Sequence, residues 1–460
     1  MNHTKPNPRT MRTKRHFQPE QVLALGFLVA IMAGSLLLML PVCAAGGHSV
    51  GPMGAVFTAT SAVCVTGLNI VDIGLGYSTL GHAVILILIQ MGGLGFMIFA
   101  TLGMVALGRR ISLRSRVLIR DSMNQSSLSG LIRITKWTSV LVVLIETLGA
   151  CLLMIRFIPT YGVGKGIWFS FFHSISAFCN AGFDLMGNFT SMVPLQNDPL
   201  VVATLSGIII CGSMGFVVFI ELINKPFQRG KLTLHTKLVL LVTGILLFGG
   251  TALFAVLEWN NPNTLGGMSP GNKLLNALFQ STTCRTAGFC AVDQLALTDS
   301  SKLLSCVLMF IGASPASTGG GVKTTTFVML LLMMATVIRG KEDHVLMKKR
   351  IARDTVSRAV TIVLIVMGAI IGCTMLISVI ESKRDFDMID LLFEVTSAVT
   401  TTGLSSIGSG NLSTPSQLIL ILLMYLGRVG PLTLAFAFAK RLNNAAQNRI
   451  HYPEENIMIG

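Results

Sequence analysis

The sequence predicts an all-α integral membrane protein: four membrane–pore–membrane repeats, giving eight transmembrane helices and four re-entrant pore half-helices around one pseudo-fourfold pore. Three observations carry that prediction. Of 460 residues, 52% are hydrophobic and only 12% charged. A water-soluble domain cannot hide so much apolar surface, so lipid must be the solvent for much of the chain. One short phrase is written four times: Phe57 to Gly67 and Phe393 to Gly403 agree at seven of eleven positions, and Ile175 to Gly182 and Ser281 to Gly288 echo them. The closing glycines stand 115, 106 and 115 residues apart. Charge alternates as well. Five segments, Lys5 to Arg15, Arg109 to Lys136, Lys225 to Lys237, Arg339 to Arg358 and Lys440 to Arg449, hold 26 of the 35 lysines and arginines. Acids such as Asp72, Asp198, Asp299 and Asp387 lie between them.

Positive charge is retained on the cytoplasmic side during insertion, so the five basic segments mark one membrane face and both termini are expected to be cytoplasmic. The net charge of +15 is thereby explained without nucleic acid. Each stretch between basic segments must leave and return. The first unit does so with Gln21 to Pro41, the half-length Gly51 to Val63, and Leu80 to Leu107. The second uses Trp137 to Ile158, Gly166 to Cys179 and Leu200 to Ile223. The third uses Leu238 to Leu257, Asn272 to Cys284 and Leu303 to Ile338, and the fourth Val356 to Ile380, Met388 to Thr400 and Leu418 to Ala439. A span of about 20 residues covers a core of about 30 Å at about 1.5 Å per residue. The expected divisions are a basic tail at 1–20, repeats at 21–125, 126–228, 229–345 and 346–445, and a C-terminal segment at 446–460.

A half-helix entering from outside aims its carbonyl end at the bilayer centre, where it carries roughly half a negative charge. Four such ends around one cavity favour a cation stripped of water. Irregular backbone at that depth is tolerated only where it lines a cavity, and glycine supplies the necessary angles. The expected ion ligands are the backbone carbonyls of Val65, Thr66 and Gly67; Asn180, Ala181 and Gly182; Thr286, Ala287 and Gly288; and Thr401, Thr402 and Gly403. The ring holds no carboxylate, which argues against a divalent site. Asp72, Asp184 and Asp293 follow the turns, either concentrating cations at the outer mouth or serving as ordinary solvated loop acids. Arg285 and Glu394 are expected to pair across adjacent repeats and brace the ring.

The third returning span is too long and is interrupted by Gly312, Ala313, Ser314, Pro315, Ala316, Ser317, Thr318, Gly319, Gly320, Gly321 and then Lys323. Proline disfavours helix by about 3 kcal/mol and glycine by about 1 kcal/mol, so this stretch is expected to unwind beneath the turns as a flap across the pore, or else as a tightly packed kink. Arg428 lies about 18 Å of helix before Lys440, too far to snorkel. It is expected to face the interior, either as a barrier held by carbonyls of the broken loop or as a structural charge paired elsewhere. A guanidinium 6 Å from a monovalent cation costs about 3 kcal/mol at an effective dielectric near 20.

Together these residues resemble the KtrB/TrkH superfamily of potassium-translocating subunits, over nearly the whole chain from about Gln21. The resemblance maps one filter glycine per repeat onto Gly67, Gly182, Gly288 and Gly403, and matches the family's intramembrane gate to the 312–322 loop and Arg428. Glycine rather than serine in the first turn implies potassium selectivity. TrkH-type members usually carry two further N-terminal spans, which puts this sequence closer to KtrB. That implies a multi-pass homodimer in a bacterial plasma membrane, carrying K+ and often dependent on Na+. Its partner would be a cytosolic ring of KtrA-like subunits, whose ATP or ADP alters the gate. The C-terminal segment would join the dimer interface or fray.

Two other functions fit the residues less well. A secondary transporter for another small cation or solute would need a central pocket of side-chain donors and usually inverted repeats. A membrane enzyme would need a nucleophile–base grouping, and His173, the single histidine in a pore hairpin, is better read as capping or packing its half-helix. The chain lacks the GxxxxGK[ST] phosphate-binding fingerprint, so nucleotide control would reside in a partner. The nine cysteines show neither metal-ligand nor disulfide spacing, and read as small buried hydrophobes.

Overall fold

The computed structural model describes residues 19–95, 131–228, 232–430 and 433. The N-terminal tail, the basic segments at 109–130 and 440–449, the far ends of the first and fourth returning spans and the 446–460 segment lie outside the described residues.

The chain folds as four copies of one motif. The opening helices are α1 (Pro19–Leu38), α4 (Leu131–Tyr161), α8 (Leu234–Glu258) and α12 (Arg353–Ile380). Within them, Gln21–Leu38, Trp137–Tyr161, Leu234–Glu258 and Arg353–Ile380 are long and apolar enough to cross a membrane. Their outer faces bear exposed Val29, Val143, Phe248 and Leu364, as expected of helices solvated by lipid. The half-helices are α2 (Gly51–Cys64), α5 (Val163–Phe178), α9 (Pro270–Thr283) and α13 (Met388–Thr400).

The returning helices are α3 (Thr79–Leu94), α6 (Pro199–Ser213), α10 (Asp299–Phe310) and α14 (Thr414–Val429). Side chains start them: Ser78, Asp198 and Thr298 accept from the amides of Gly81, Leu200 and Ser301, supplying partners that a helix N-terminus lacks. Carboxylates at the ends of opening helices hold the starts of α10 and α14. Glu258 accepts from Thr298 N at 3.0 Å, and Glu381 from Ser413 N at 2.8 Å.

Each returning helix packs on the half-helix of the next repeat: α3 on α5, α6 on α9, α10 on α13, and α14 back on α2. That last contact closes the ring. A buried ion pair, Lys302 to Asp390 at 2.9 Å, fastens the third repeat to the fourth.

The structure departs from the sequence reading in the returning spans. Leu200 to Ile223, expected as one crossing, bends by 97° between α6 and α7 (Phe216–Gln228), at Gly215 with φ 89°. The first and fourth returning helices stop likewise at Gly95 (φ 83°) and Gly430 (φ 92°). The third is interrupted over 311–323 and resumes as α11 (Thr324–Ile338). Among the described residues the second and third returning spans therefore break, and the first and fourth helices end at glycines, whereas the sequence reading anticipated one break, in the third span. Beyond α11 a short hairpin, β1 (Val345–Leu346) with β2 (Lys349–Arg350), leads into α12.

Candidate cation pathway

The four glycine turns meet. A side-chain carbon added to Gly67 would lie 2.6 Å from the carbonyl oxygen of Ala181, one on Gly182 2.8 Å from that of Ala287, and one on Gly288 2.6 Å from that of Thr402. At Gly403 it would strike the carbonyl of Thr66. Each glycine thus abuts the carbonyl of the residue before the next glycine, in the cyclic order 67, 182, 288, 403. Backbone angles repeat too. Val65, Asn180, Thr286 and Thr401 are left-handed (φ 52° to 67°), and the glycines two residues on have φ of 100°, 68°, 82° and 92°. A left-handed residue caps the first and fourth half-helices directly and follows the last residue of the second and third by two and three positions. The intervening Thr66, Ala181, Ala287 and Thr402 donate their amides back into the half-helix, to Ser61, Ser176, Thr283 and Ser397 carbonyls.

Side chains fix these turns from behind. Ser61 and Ser397 hydroxyls accept from Gly67 N and Gly403 N, both at 3.0 Å. In the second and third repeats the hydroxyls of Ser176 and Thr283 instead donate to Phe183 O and Phe289 O at 2.7 Å. His173 sits on α5 among Phe157, Phe169 and Phe172. Its Nε2 accepts from Leu185 N at 3.3 Å while Nδ1 reaches Phe169 O, so it ties the loop after the second turn to its half-helix.

Outside the ring lies a cavity of about 390 Å³ lined by all four glycines together with Asp184 and Asp293. Asp184 accepts from Met186 N at 3.0 Å. Burial, with Asp72 nearby, pushes its carboxyl up to about 6. Asp72 itself accepts from Leu75 N and from Phe189 N, both at 2.9 Å, and so joins the first and second outer loops.

Arg285 and Glu394 do not pair, contrary to the sequence expectation. Glu394 is satisfied within its own repeat by Ser405 Oγ at 2.7 Å and by Ser409 Oγ. Arg285 is buried and donates to Thr243 on α8 at 3.3 Å. Local hydroxyls had first claim on the carboxylate.

On the side of the ring away from this cavity the 311–323 loop packs against the glycine turns. Gly320 N donates to Thr286 Oγ1 at 3.1 Å, and side chains added to Gly319 or Gly320 would collide with Thr286 or Thr401. Thr318 donates its hydroxyl to Phe178 O and Gly212 O, each at 3.0 Å. Gly312 N and Ala313 N donate to Val322 O and Gly320 O, Ser314 N donates to Ser213 O, and Ser317 Oγ donates to Ser314 O. Pro315 abuts Gly215 at the second break, and Ala316 O accepts from Phe216 N at 2.8 Å. Lys323 Nζ donates to Gly319 O at 2.6 Å, and Gly321 has φ 69°. Arg428 is the clamp: Nη1 donates to Thr318 O at 2.6 Å, and Nη2 to Gly92 O and Gly93 O. One guanidinium thus joins the fourth returning helix, the loop and the first returning helix.

The sequence reading missed the helix ends at these glycines, although their signal repeats: Gly92-Gly-Leu-Gly95, Gly212-Ser-Met-Gly215 and Gly427-Arg-Val-Gly430. The first glycine of each abuts the last turn of a half-helix, at Val63 O, Phe178 O and Val399 O. In this register Arg428 takes the place of Gly93 and Ser213. The ring, the vestibule and the clamped loop stack around one closed bundle.

Comparison with known proteins fits this geometry. A family model described as TrkH, cation transport protein, matches residues 11–450. The potassium/sodium uptake protein NtpJ of Enterococcus hirae is 37% identical, covering 98% of this chain and 99% of its own. The Ktr system potassium uptake protein B of Vibrio alginolyticus is 38% identical over 98% and 97% of the two chains. Its counterpart in Bacillus subtilis is 37% identical over 96% and 97%. Among solved structures, the potassium transporter TrkH from Vibrio parahaemolyticus has a TM-score of 0.68 and 17% identity, over 95% of this chain and 88% of that one. At that identity the likeness concerns the fold.

Proposed function

Because the chain belongs to the TrkH family of cation transport proteins, we propose that the four glycine turns select K+ and that the 311–323 loop, held by Arg428, closes the path beneath them. The chain is a potassium uptake transporter of the Ktr/Trk kind and not an enzyme. The observation that carries the finer reading is the cyclic abutment of the four glycines on the carbonyls of the next turn. A ring built from peptide oxygens can replace a monovalent ion's hydration shell, and four inward half-helix ends add negative potential there.

Selection depends on the spacing of those oxygens, which the glycine-to-carbonyl contacts set. Closure depends on the loop's place against Thr286, Thr401 and Phe178. Arg428 contributes by contact and by charge, since a fixed cation near the path raises the barrier for another. The names of the relatives that belong to a Ktr system support a companion subunit, here a cytosolic nucleotide-binding ring of the KtrA kind under a homodimer. The name of the Enterococcus relative supports Na+ as second cargo or co-requirement. Both termini are assigned to the cytoplasmic side of the plasma membrane on the basic-segment pattern.

The test is cation uptake in cells lacking their own potassium systems, comparing the intact chain with Gly288→Ser. The expected result is loss of preference for K+ over Na+. Unchanged preference at equal protein would turn the assignment toward a transporter whose substrate site lies elsewhere.

A further inference from the structure

Glu146 lies midway along α4, 6% exposed. Its carboxylate is met by Gln90 of α3, whose Nε2 donates to Oε1 at 3.1 Å and Oε2 at 3.3 Å. Among the described residues it has no ion-pair partner. Gln90 continues the connection, since its Oε1 accepts from Cys179 Sγ at 3.1 Å. Cys179 immediately precedes Asn180, the left-handed residue of the second glycine turn, and its sulfur lies close against Gly93.

The same place in the third repeat is apolar. Ser174 Oγ donates to the carbonyl of Glu146 at 2.7 Å, and Ser281 Oγ donates to those of Leu246 and Leu247 at 3.3 and 2.9 Å. Gly149 abuts Ser174 as Gly250 abuts Ser281, so the register matches and Leu247 stands where Glu146 does. A membrane-interior carboxylate is costly and marks a functional position by default.

Resting on the reading of the glycine ring as a filter, we propose that Glu146 is a positioning residue for the second filter turn, acting as a neutral acid through Gln90 and Cys179. An ionised carboxylate facing a single amide donor has no counter-charge to offset its desolvation. The neutral acid completes the chain of contacts. With the amide of Gln90 turned over, the Glu146 hydroxyl donates to Oε1 and Nε2 donates to the sulfur of Cys179, with all three residues still joined. The turn is then braced from outside the ring, where selection is sensitive to small changes in spacing.

The experiment measures how far Na+ competes with Rb+ uptake in cells lacking their own potassium systems, at equal protein in the membrane. The variants are Glu146→Gln, Glu146→Leu, Gln90→Leu, the double Glu146→Leu/Gln90→Leu, and Gly288→Ser. Loss of one hydrogen-bonded link should lower the preference about fivefold. Glu146→Leu and Gln90→Leu should each show that loss, the double variant no more than either, and Glu146→Gln should stay within about twofold of the intact protein. Cys179→Ala gives a second route should the leucine variants fail to reach the membrane, with the same loss expected. Wild-type preference in Glu146→Leu and Gln90→Leu, with Gly288→Ser impaired, overturns the positioning role and leaves the filter standing. Indifference of Gly288→Ser as well removes both. A Glu146→Gln as impaired as Glu146→Leu overturns the neutral acid, and additive losses in the double variant overturn the linkage.

Discussion

The ring and the loop beneath it are built on opposite principles. Four repeats contribute to the ring alike, each with a half-helix, a left-handed residue and a glycine pressed on the next turn. The layer below is unequal: the third repeat supplies a long unwound loop, and the fourth supplies Arg428 where the first and second have Gly93 and Ser213. Equal oxygens on all sides suit recognition of a spherical ion. Closing a path, by contrast, needs an element that can move against fixed neighbours. On the proposed function, the likeness of the repeats serves selection and their difference serves closure.

The largest expected effect breaks the equality of the ring. Gly403→Ala places a methyl group into the Thr66 carbonyl at φ 92°. Left-handed strain alone costs about 1–3 kcal/mol, and with the collision K+ uptake should fall about 100-fold or more. Gly410→Ala, whose nearest neighbour would be 3.4 Å away, is the control, and an equal loss in both would show that the ring is not special. Next, Arg428→Ala removes the clamp and the charge. With a Coulomb barrier of about 3 kcal/mol at stake, uptake should rise between about tenfold and 100-fold; unchanged or lower flux in a well-folded variant would remove Arg428 from the closure. Thr318→Val deletes the hydroxyl shared by Phe178 O and Gly212 O. Losing a hydrogen bond of about 1 kcal/mol should raise basal flux about fivefold, measured against the double variant with Arg428→Ala.

The smallest expected effect concerns the mouth. Asp184 has its carboxyl raised to about 6 by burial, so it is ionised above that pH and neutral below. Uptake at subsaturating K+ should fall about twofold as external pH drops through 6. Asp184→Asn should be low throughout and lack that step.

Much of the upper layer was legible because it is written four times. Phe57 to Gly67 and Phe393 to Gly403 share seven residues, and α13 spans the predicted Met388–Thr400. The unwound third span was legible because Pro315 and three glycines cannot be overlooked. The helix ends at Gly95 and Gly430 and the break at Gly215 were not read, since a G-x-x-G inside an apolar stretch reads equally well as a site of close helix packing. Their meaning lies in left-handed angles that composition does not carry. The pairing of Arg285 with Glu394 failed for a related reason. A sequence shows opposite charges but not the nearer hydroxyls of Ser405 and Ser409. Glu146 escaped notice as a single acid in a long apolar helix, and only its contact with Gln90 gives it significance.

The central claim is that peptide oxygens of four equivalent turns coordinate the ion. Anomalous diffraction from crystals of the protein grown in Rb+ or Tl+ measures it most directly. The account expects an anomalous peak on the axis among residues 65–67, 180–182, 286–288 and 401–403, weakened when Gly288 is replaced by serine. Peaks confined to side-chain carboxylates, with none inside the glycine ring, would contradict it.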